Sequence, residues 1–272
     1  MSDLHTFENH VQILLPMLKG AHDGATVRAD DLFFRFTLDA ATDFLLGKSV
    51  KSLVTGQSDF AEAFGIVQNT QGTIARAGPM QWLISKKKFH QSLKVINSFV
   101  GQYIDRALEL SQDELEKVSK SDEGYTFLHA LASYTRDRAV LRDQIIAVLL
   151  AGRDTTAVTL SWLFYELSRH PQIVQKLRGE IESFVGWERV PTYSDLKSMR
   201  YLQHTLNETL RLYPVVPYNV RVALKDTTLP RGGGLDGNEP IGVAKGKSIL
   251  AGCQLTSRLT LSQTHPSDIP PS

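Results

Sequence analysis

The chain has 272 residues and a mass of 30.3 kDa, with 42% hydrophobic and 22% charged residues, the balance of an ordinary globular chain rather than a disordered or fibrous one. Thirty Lys and Arg against twenty-nine Asp and Glu leave a formal net charge of +1, so no overall basic field drives non-specific binding to nucleic acid. A single cysteine, Cys253, excludes an intrachain disulfide and any multi-cysteine zinc or iron–sulfur site, and it fits a reducing compartment.

Met1 to His10 lacks the basic and apolar regions of a secretory signal. The longest apolar run, Ile145 to Ala151, falls well short of the roughly 18 residues that read as a membrane span, so no membrane span is expected in this chain. Apolar residues recur at three- and four-residue spacing from Leu4 to Leu18, Asp30 to Leu46, Phe60 to Val67, Phe89 to Leu110 and Leu141 to Arg169, which predicts a mainly helical fold. The alternating charges of Ser111 to Gly124 read as a surface helix end or a connection. Strand signals come late. Asn219 to Leu224 and Ile241 to Val243 flank the breaker-rich stretch Leu229 to Asn238, which predicts a small β element around a turn. From Leu250 to Ser272 the chain is dominated by Ser, Thr, Gln and Pro, with Arg258 and Asp268 as its formal charges. Two readings stand for that segment: a disordered tail, or foreign sequence following a lost reading frame.

Arg142 to Arg169 would make a helix about 40 Å long, apolar on every side of its middle and therefore expected to run through the core. His170-Pro171 ends it, because the residue before a proline avoids the helical region. Within its apolar middle sits Ala151-Gly-Arg-Asp-Thr-Thr156, where glycine and β-branched threonine weaken a helix. One reading is a packing bend, with Thr155 bonding back to the Ala151 carbonyl. The other is a widened groove beside a reaction centre, with Asp154 and Thr155 relaying protons, since a hydroxyl both donates and accepts.

Glu208-Thr-Leu-Arg211 lies on a predicted helix from Tyr201 to Tyr213, its two charges on one face. Exposed, such a pair contributes about 0.2–0.5 kcal/mol; buried, it would act as a registry device that is costly to break. Arg221, at the start of the β element, presents a planar guanidinium suited to bidentate pairing with a carboxylate.

Two other chemistries fail on spacing. Gly242 to Ser248 resembles a phosphate-binding loop, but the pattern requires glycine where Ile241 stands, and no helix pattern follows. The eight histidines show no His-Glu-x-x-His spacing, which argues against a zinc hydrolase.

In this order and context, Ala151-Gly-Arg-Asp-Thr-Thr156 and Glu208-Thr-Leu-Arg211-Leu-Tyr-Pro214 resemble the central and ExxR helices of a cytochrome P450. The flanks Leu160 to Pro171 and Asp195 to Leu202 agree. Asp31 to Asp43, Val216 to Ala223 and Leu229 to Gly234 are similar to the fungal branch that hydroxylates alkanes and fatty acids. The resemblance covers about residues 3 to 249. It implies a partial P450 domain over 1–249 and a divergent tail over 250–272.

By that resemblance, Asp154 and Thr155 match the acid–alcohol pair that delivers protons. Ala151 and Gly152 line the haem face, and Arg221 matches an arginine that pairs with a haem propionate. Glu208 and Arg211 match the structural ion pair, Val215 and Val216 fall where the family lines its substrate pocket, and Phe60 to Trp82 supplies part of the substrate lid. Haem is the implied cofactor. A reductase fed by NADPH and a lipid substrate are the implied partners, and the endoplasmic reticulum membrane is the implied location of the intact family member.

The departures matter equally. The family's haem loop reads Phe-x-x-Gly-x-Arg-x-Cys-x-Gly, whereas Gly246, Ile249, Ala251 and Leu255 stand at the surrounding positions of Cys253. Cys253 is therefore not expected to be the haem ligand, and retention of haem is doubtful. The membrane anchor, the first helices and strands, and a haem-contacting Trp-x-x-x-Arg helix are likewise expected to be missing. The expectation is a monooxygenase by descent, truncated at both ends, with a haem-free helical remnant or scaffold as the alternative.

Overall fold

The structure, a computed structural model, describes residues 4–20, 26–56, 59–120 and 125–252. Contacts divide the chain into two units, residues 1–164 with 184–198, and residues 165–183 with 199–272. The first unit contains α1 (Leu4–Lys19), α2 (Ala29–Leu46), α3 (Ser52–Thr55), α4 (Asp59–Ala77), α5 (Lys87–Glu109), α6 (Gln112–Lys120) and α7 (Phe127–Tyr134). It also holds most of α8 (Arg138–Arg169), together with α10 (Tyr193–Ser198).

Its main core joins Leu38 and Leu45 of α2, Phe60 and Phe64 of α4, Ile96, Val100 and Ile104 of α5, and Leu141, Ile145 and Leu149 of α8. Steps of four residues in α4, α5 and α8, and of seven in α2, place those side chains on one face of their helix, so that the apolar stripes meet. A second cluster brings Ala157 of α8 against Leu14 of α1 and Leu32 and Phe33 of α2.

Two polar devices hold α2 in place. Buried Asp39 accepts hydrogen bonds from Ser52 N at 2.8 Å, Ser52 Oγ at 2.7 Å and Leu53 N at 2.9 Å, satisfying the orphan donors of α3. At the far end, Gly47 adopts φ 74° and closes α2 with a 2.7 Å bond to the Asp43 carbonyl. A Cβ there would lie 2.9 Å from Thr126 Cγ2, so glycine serves both the left-handed cap and the close approach.

The expectation that α8 runs through the core on every side is not met. Its packed residues form one stripe, while Leu150 is 38% exposed and Phe164 48%. Apolarity all round forecasts burial all round, but α1, α2, α4 and α5 reach only the stripe that faces them. Among the described residues, α8 is also the one helix long and apolar enough to cross a membrane by length and composition. A count of consecutive apolar residues missed it because Arg153 and Asp154 interrupt the run. Its packed stripe makes it a core helix on that side.

The second unit holds the end of α8, α9 (Pro171–Phe184), α11 (Arg200–Leu212) and four strands. Glu180 of α9 accepts from the backbone N–H of Tyr201 and Leu202, both at 2.8 Å, and so caps α11, which has no side-chain cap from its own sequence. β1 (Tyr218–Val222) pairs antiparallel with β4 (Ser248–Gly252), and β2 (Thr227–Gly233) with β3 (Glu239–Val243).

The breaker-rich stretch is thus partly strand: Leu229 to Gly233 ends β2, with a register irregularity between Leu229 and Gly233. Gly232 takes φ 117°, and a Cβ on Gly233 would sit 2.9 Å from the Pro240 carbonyl oxygen, so the glycines serve a kink within the pairing. β4 carries ordered pairing to Gly252, three residues past the change of composition at Ile249, because β1 supplies its hydrogen-bond partner. The segment Ser111 to Gly124 includes a full short helix, α6, with Leu115 buried as its anchor. Cys253 and the rest of the expected tail lie outside the described residues.

Replacing Asp39 with alanine leaves the Ser52 and Leu53 donors without their acceptor inside the protein. Urea unfolding of Asp39→Ala is expected to show a loss of about 1–3 kcal/mol, with Asp39→Asn intermediate.

Candidate functional site

The middle of α8 carries an apolar helix's two ionic residues, Arg153 and Asp154. The Arg153 guanidinium lies 5.4 Å from the Phe34 ring centroid of α2 and 5.3 Å from that of Phe64 on α4, a slot with an aromatic face on each helix. Its Nη1 stands 3.3 Å from Asp154 Oδ1 and donates at 3.3 Å to Gln68 Oε1. The Gln68 amide in turn donates its Nε2 hydrogen to Asp154 Oδ2. Gln68 thus bridges the two charges with both ends of one amide. Burial pushes the Arg153 guanidinium below its usual value, and the Asp154 carboxylate partly opposes this.

Thr155 Oγ1 donates to the Ala151 carbonyl at 2.6 Å, the back-bond of the packing reading. Thr159 repeats the pattern to Thr155 O at 2.7 Å. Asp154 is engaged by Gln68 and Arg153, while Thr155 bonds within its own helix; the two side chains of the expected relay have separate partners. The hydroxyl of Thr155 keeps its lone pairs as acceptors. Ala151 and Gly152 lie on an exposed part of α8, and a Cβ on Gly152 would meet nothing within 4 Å. Gly152 and Thr156 line an apolar groove of about 280 Å³ formed with Phe7 of α1 and Phe36, Ala40 and Phe44 of α2.

In the second unit, Arg211 grips Glu208 with two parallel bonds, Nε to Oε2 at 2.7 Å and Nη2 to Oε1 at 2.5 Å. The side chains are 34% and 55% exposed, so this is the exposed form of the pair, not the buried registry device. Those bonds hold the Glu208 carboxyl below its ordinary value. Nearby, Tyr213 Oη donates to Glu166 Oε1 at 2.5 Å, and that bond raises the tyrosine's pKa. Arg221 lies in β1, exposed, with Nη1 donating to Asn219 Oδ1 and, at 3.1 Å, to the Val220 carbonyl. Val215 is half-buried and Val216 exposed just before that strand.

The expected residues thus fall into two sets: Ala151, Gly152, Asp154 and Thr155 on α8 of the first unit, and Glu208, Arg211, Val215, Val216 and Arg221 in the second. Sequence reasoning missed Gln68 and the role of Arg153. The signal was present: Phe60, Phe64 and Gln68 stand at four-residue steps on α4, so a polar residue continues a buried apolar stripe.

Among the described residues no group of three or more His, Cys, Asp or Glu side chains is placed to hold a metal ion. For a flat macrocycle the fit is partial. In the first unit the open helix face at Ala151 and Gly152 suits a planar group; in the second unit, by itself, the exposed Arg221 guanidinium suits a carboxylate. A thiolate to bind the iron of such a group has no counterpart among the described residues, the chain's single cysteine being Cys253.

A sequence model of the family "Cytochrome P450" matches residues 4–232. The chain is 52% identical to the cytochrome P450 monooxygenase pvhE of Talaromyces variabilis, over 92% of this chain and 49% of that protein. It is 43% identical to cytochrome P450 52A1 of Candida tropicalis, over 92% of this chain and 48% of that one. The crystal structure of the cytochrome P450DA heme domain superposes with a TM-score of 0.77 at 19% identity, over 97% of this chain and 55% of that chain, a likeness of fold. The chain spans about half the length of the curated relatives it matches.

Two outcomes test this geometry. Gln68→Leu removes the amide that bridges the partly buried Asp154 and Arg153 and is expected to cost about 1–3 kcal/mol in denaturant unfolding, while Gln68→Glu, which sets a carboxylate against Asp154, costs more at neutral pH than in acid. For the exposed pair the folded-state pKa of Glu208 is depressed, so its contribution is present above the ordinary glutamate value of about 4.3 and is lost as pH falls through the lowered one. Glu208→Gln should flatten that acid limb of the stability profile, with a loss at pH 7 of no more than about 1 kcal/mol, as an exposed pair gives.

Proposed function

Since the chain belongs to the cytochrome P450 family, we propose that it is part of a haem-dependent monooxygenase that hydroxylates long-chain alkanes or fatty acids, using O2 and electrons from an NADPH-dependent reductase. The observation that carries this reading is the α8 centre, where Ala151-Gly-Arg-Asp-Thr-Thr156 is held by Gln68, Phe34 and Phe64, with the Glu208–Arg211 pair on α11. The substrate class rests on the likeness of residues 31–43 and 216–234 to the fungal hydroxylase branch. Residues 1–249 form a partial P450 domain in this reading, the remainder a divergent tail, and the intact enzyme resides at the endoplasmic reticulum membrane.

Haem, when bound, supplies the redox-active iron. Ala151 and Gly152, in the first unit, would present the open helix face to the haem, and by the family resemblance Arg221, in the second, would pair with a propionate carboxylate. The Asp154 carboxylate, oriented by Gln68 and Arg153, takes up a proton and hands it on, and the Thr155 hydroxyl passes it along by accepting at its lone pairs while donating elsewhere than to Ala151 O. Exchanging the 2.6 Å back-bond for that role requires only rotation of the hydroxyl and local opening of the helix. Glu208 and Arg211 form the structural ion pair on α11, and Val215 and Val216 line the lipid pocket.

One observation favours the alternative, a haem-free helical remnant or scaffold: Gly246, Ile249, Ala251 and Leu255 surround Cys253 where the haem loop has Phe, Gly, Arg and Gly. On either reading this chain alone is inactive. Expressed with haem supplied, the 272-residue chain is expected to show no thiolate-type Soret band in its ferrous carbon-monoxide spectrum; such a band, lost in Cys253→Ala, would overturn the assignment of Cys253 as incidental. Genomic DNA beyond the Ile249 codon separates the two readings. A Phe-x-x-Gly-x-Arg-x-Cys-x-Gly sequence in another frame or past an intron supports the monooxygenase, and in the enzyme restored from it Asp154→Asn should lower turnover about 10²-fold. Its absence favours the remnant.

A further inference from the structure

Away from the α8 centre, three helix ends of the first unit meet at a cavity of about 340 Å³ to which α8 contributes no lining residue. The end of α2 supplies Leu46 and, just beyond it, Lys48; the last turns of α5 supply Tyr103, Arg106 and Leu110; the start of α7 supplies Leu128 and His129. Leu46 and Leu128 are buried and Leu110 half-buried, while the Lys48 and Arg106 side chains are exposed. The cavity therefore has apolar walls and a cationic rim. Its volume lies within the roughly 300–1,000 Å³ of small-molecule sites.

Nothing in the surrounding protein answers the two cations. Among the described residues no Asp or Glu lines the cavity, and neither Lys48 nor Arg106 forms an ion pair. The carboxylates nearest to them in sequence are engaged elsewhere: Asp105 takes both of its bonds from Arg138, at 2.7 and 2.9 Å, and Asp43 stands 3.0 Å from His10 Nε2. A cation at a helix C-terminus is ordinarily explained by the carbonyls it meets. Here Arg136 serves the end of α5, its Nη2 donating to Leu108 O and Leu110 O at 2.5 and 2.8 Å, and Gly47 closes α2. Arg106 instead has its Cζ 6.0 Å from the Tyr103 ring centroid, a guanidinium held over the aromatic wall of the cavity. α7 begins at the cavity with no acidic residue in its first turn, so its dipole adds a further positive contribution.

We propose that this cavity is a binding site for an amphipathic carboxylate, an anionic head on an aliphatic body. The body lies against Leu46, Leu110, Leu128 and Tyr103, and the head pairs with Arg106 and Lys48. A guanidinium takes both oxygens of a carboxylate, whereas an inorganic anion would leave the apolar walls uncovered. Because α2, α5 and α7 each contribute to the walls, occupancy ties three helix ends together and stabilises the first unit. The site uses neither haem nor the residues of the α8 centre, so its failure and that of the proposed reaction are independent.

The test is equilibrium dialysis of radiolabelled octanoate against the full 272-residue chain. Saturable binding is expected, weakened about ten-fold by each of Lys48→Gln and Arg106→Gln, as loss of a hydrogen bond to a charged group gives. Octanol, which keeps the body and lacks the charge, should compete only weakly, and inorganic phosphate should not displace octanoate. Leu110→Trp fills the cavity and should abolish binding. An octanoate analogue bearing a diazirine should, on irradiation, label residues 103–110 or 126–129. The proposal is overturned by absence of saturable binding, by binding that both charge variants leave unchanged, by displacement with phosphate, or by label confined to other peptides. Octanoate held instead in the lipid pocket proposed at Val215 and Val216 would survive the Lys48 and Arg106 changes, which separates the two sites. Both charge variants alter exposed side chains, and their circular dichroism distinguishes lost binding from lost folding.

Discussion

A largely buried arginine sets the arrangement of the first unit. Arg153 cannot shed its charge in a protein, so an apolar helix that carries it must supply a partner and a polarisable wall. Asp154 is the partner, Phe34 and Phe64 are the walls, and Gln68 ties guanidinium to carboxylate. These contacts come from α2 and α4, so the position of the ionic pair along α8 also determines where those two helices cross it. Core packing among Leu38, Phe64, Ile145 and Leu149 then fills the same interface with apolar contact. Hydrophobic stripes alone tolerate slippage along a helix; a largely buried charge, whose Nε and whose partner's Oδ1 already lack hydrogen bonds here, tolerates less of it.

Polar residues elsewhere are likewise reached from a distance in sequence. Asp39 caps a helix thirteen residues further on, and Glu180 caps α11 from α9. In each case the capped helix opens on a residue with no capping side chain of its own, Lys51 for α3 and Met199 for α11. A carboxylate carried by a neighbouring helix makes the docking of that helix and the termination of the other a single event. His10 ties α1 to α2 differently, side chain to side chain, with Nε2 at 3.0 Å from Asp43 Oδ2.

Much of this was legible in the residues. The helices of α1, α2, α5, α8 and α11 follow from three- and four-residue spacing, and the stop at His170-Pro171 from proline chemistry. The centre of α8 drew attention because glycine, charge and hydroxyl interrupt an apolar run. What could not be read was which neighbour answers each interruption: Gln68 lies eighty-six positions from Asp154. Strand β4 was illegible for the same reason, since Ser248 to Gly252 has no strong alternation and is ordered by its pairing with β1.

By itself the amino-acid sequence determined the helical class, the two motif-bearing helices and the absence of a family-type loop around Cys253, because each depends on residue type at short spacing. Only the tertiary structure decided that α8 is packed along one stripe, that Thr155 bonds back to its own helix while Asp154 turns to Gln68, and that Glu208–Arg211 is an exposed pair. Burial and partner choice are properties of the surfaces that meet, and helical periodicity states which face is apolar without stating how much of it a neighbour covers.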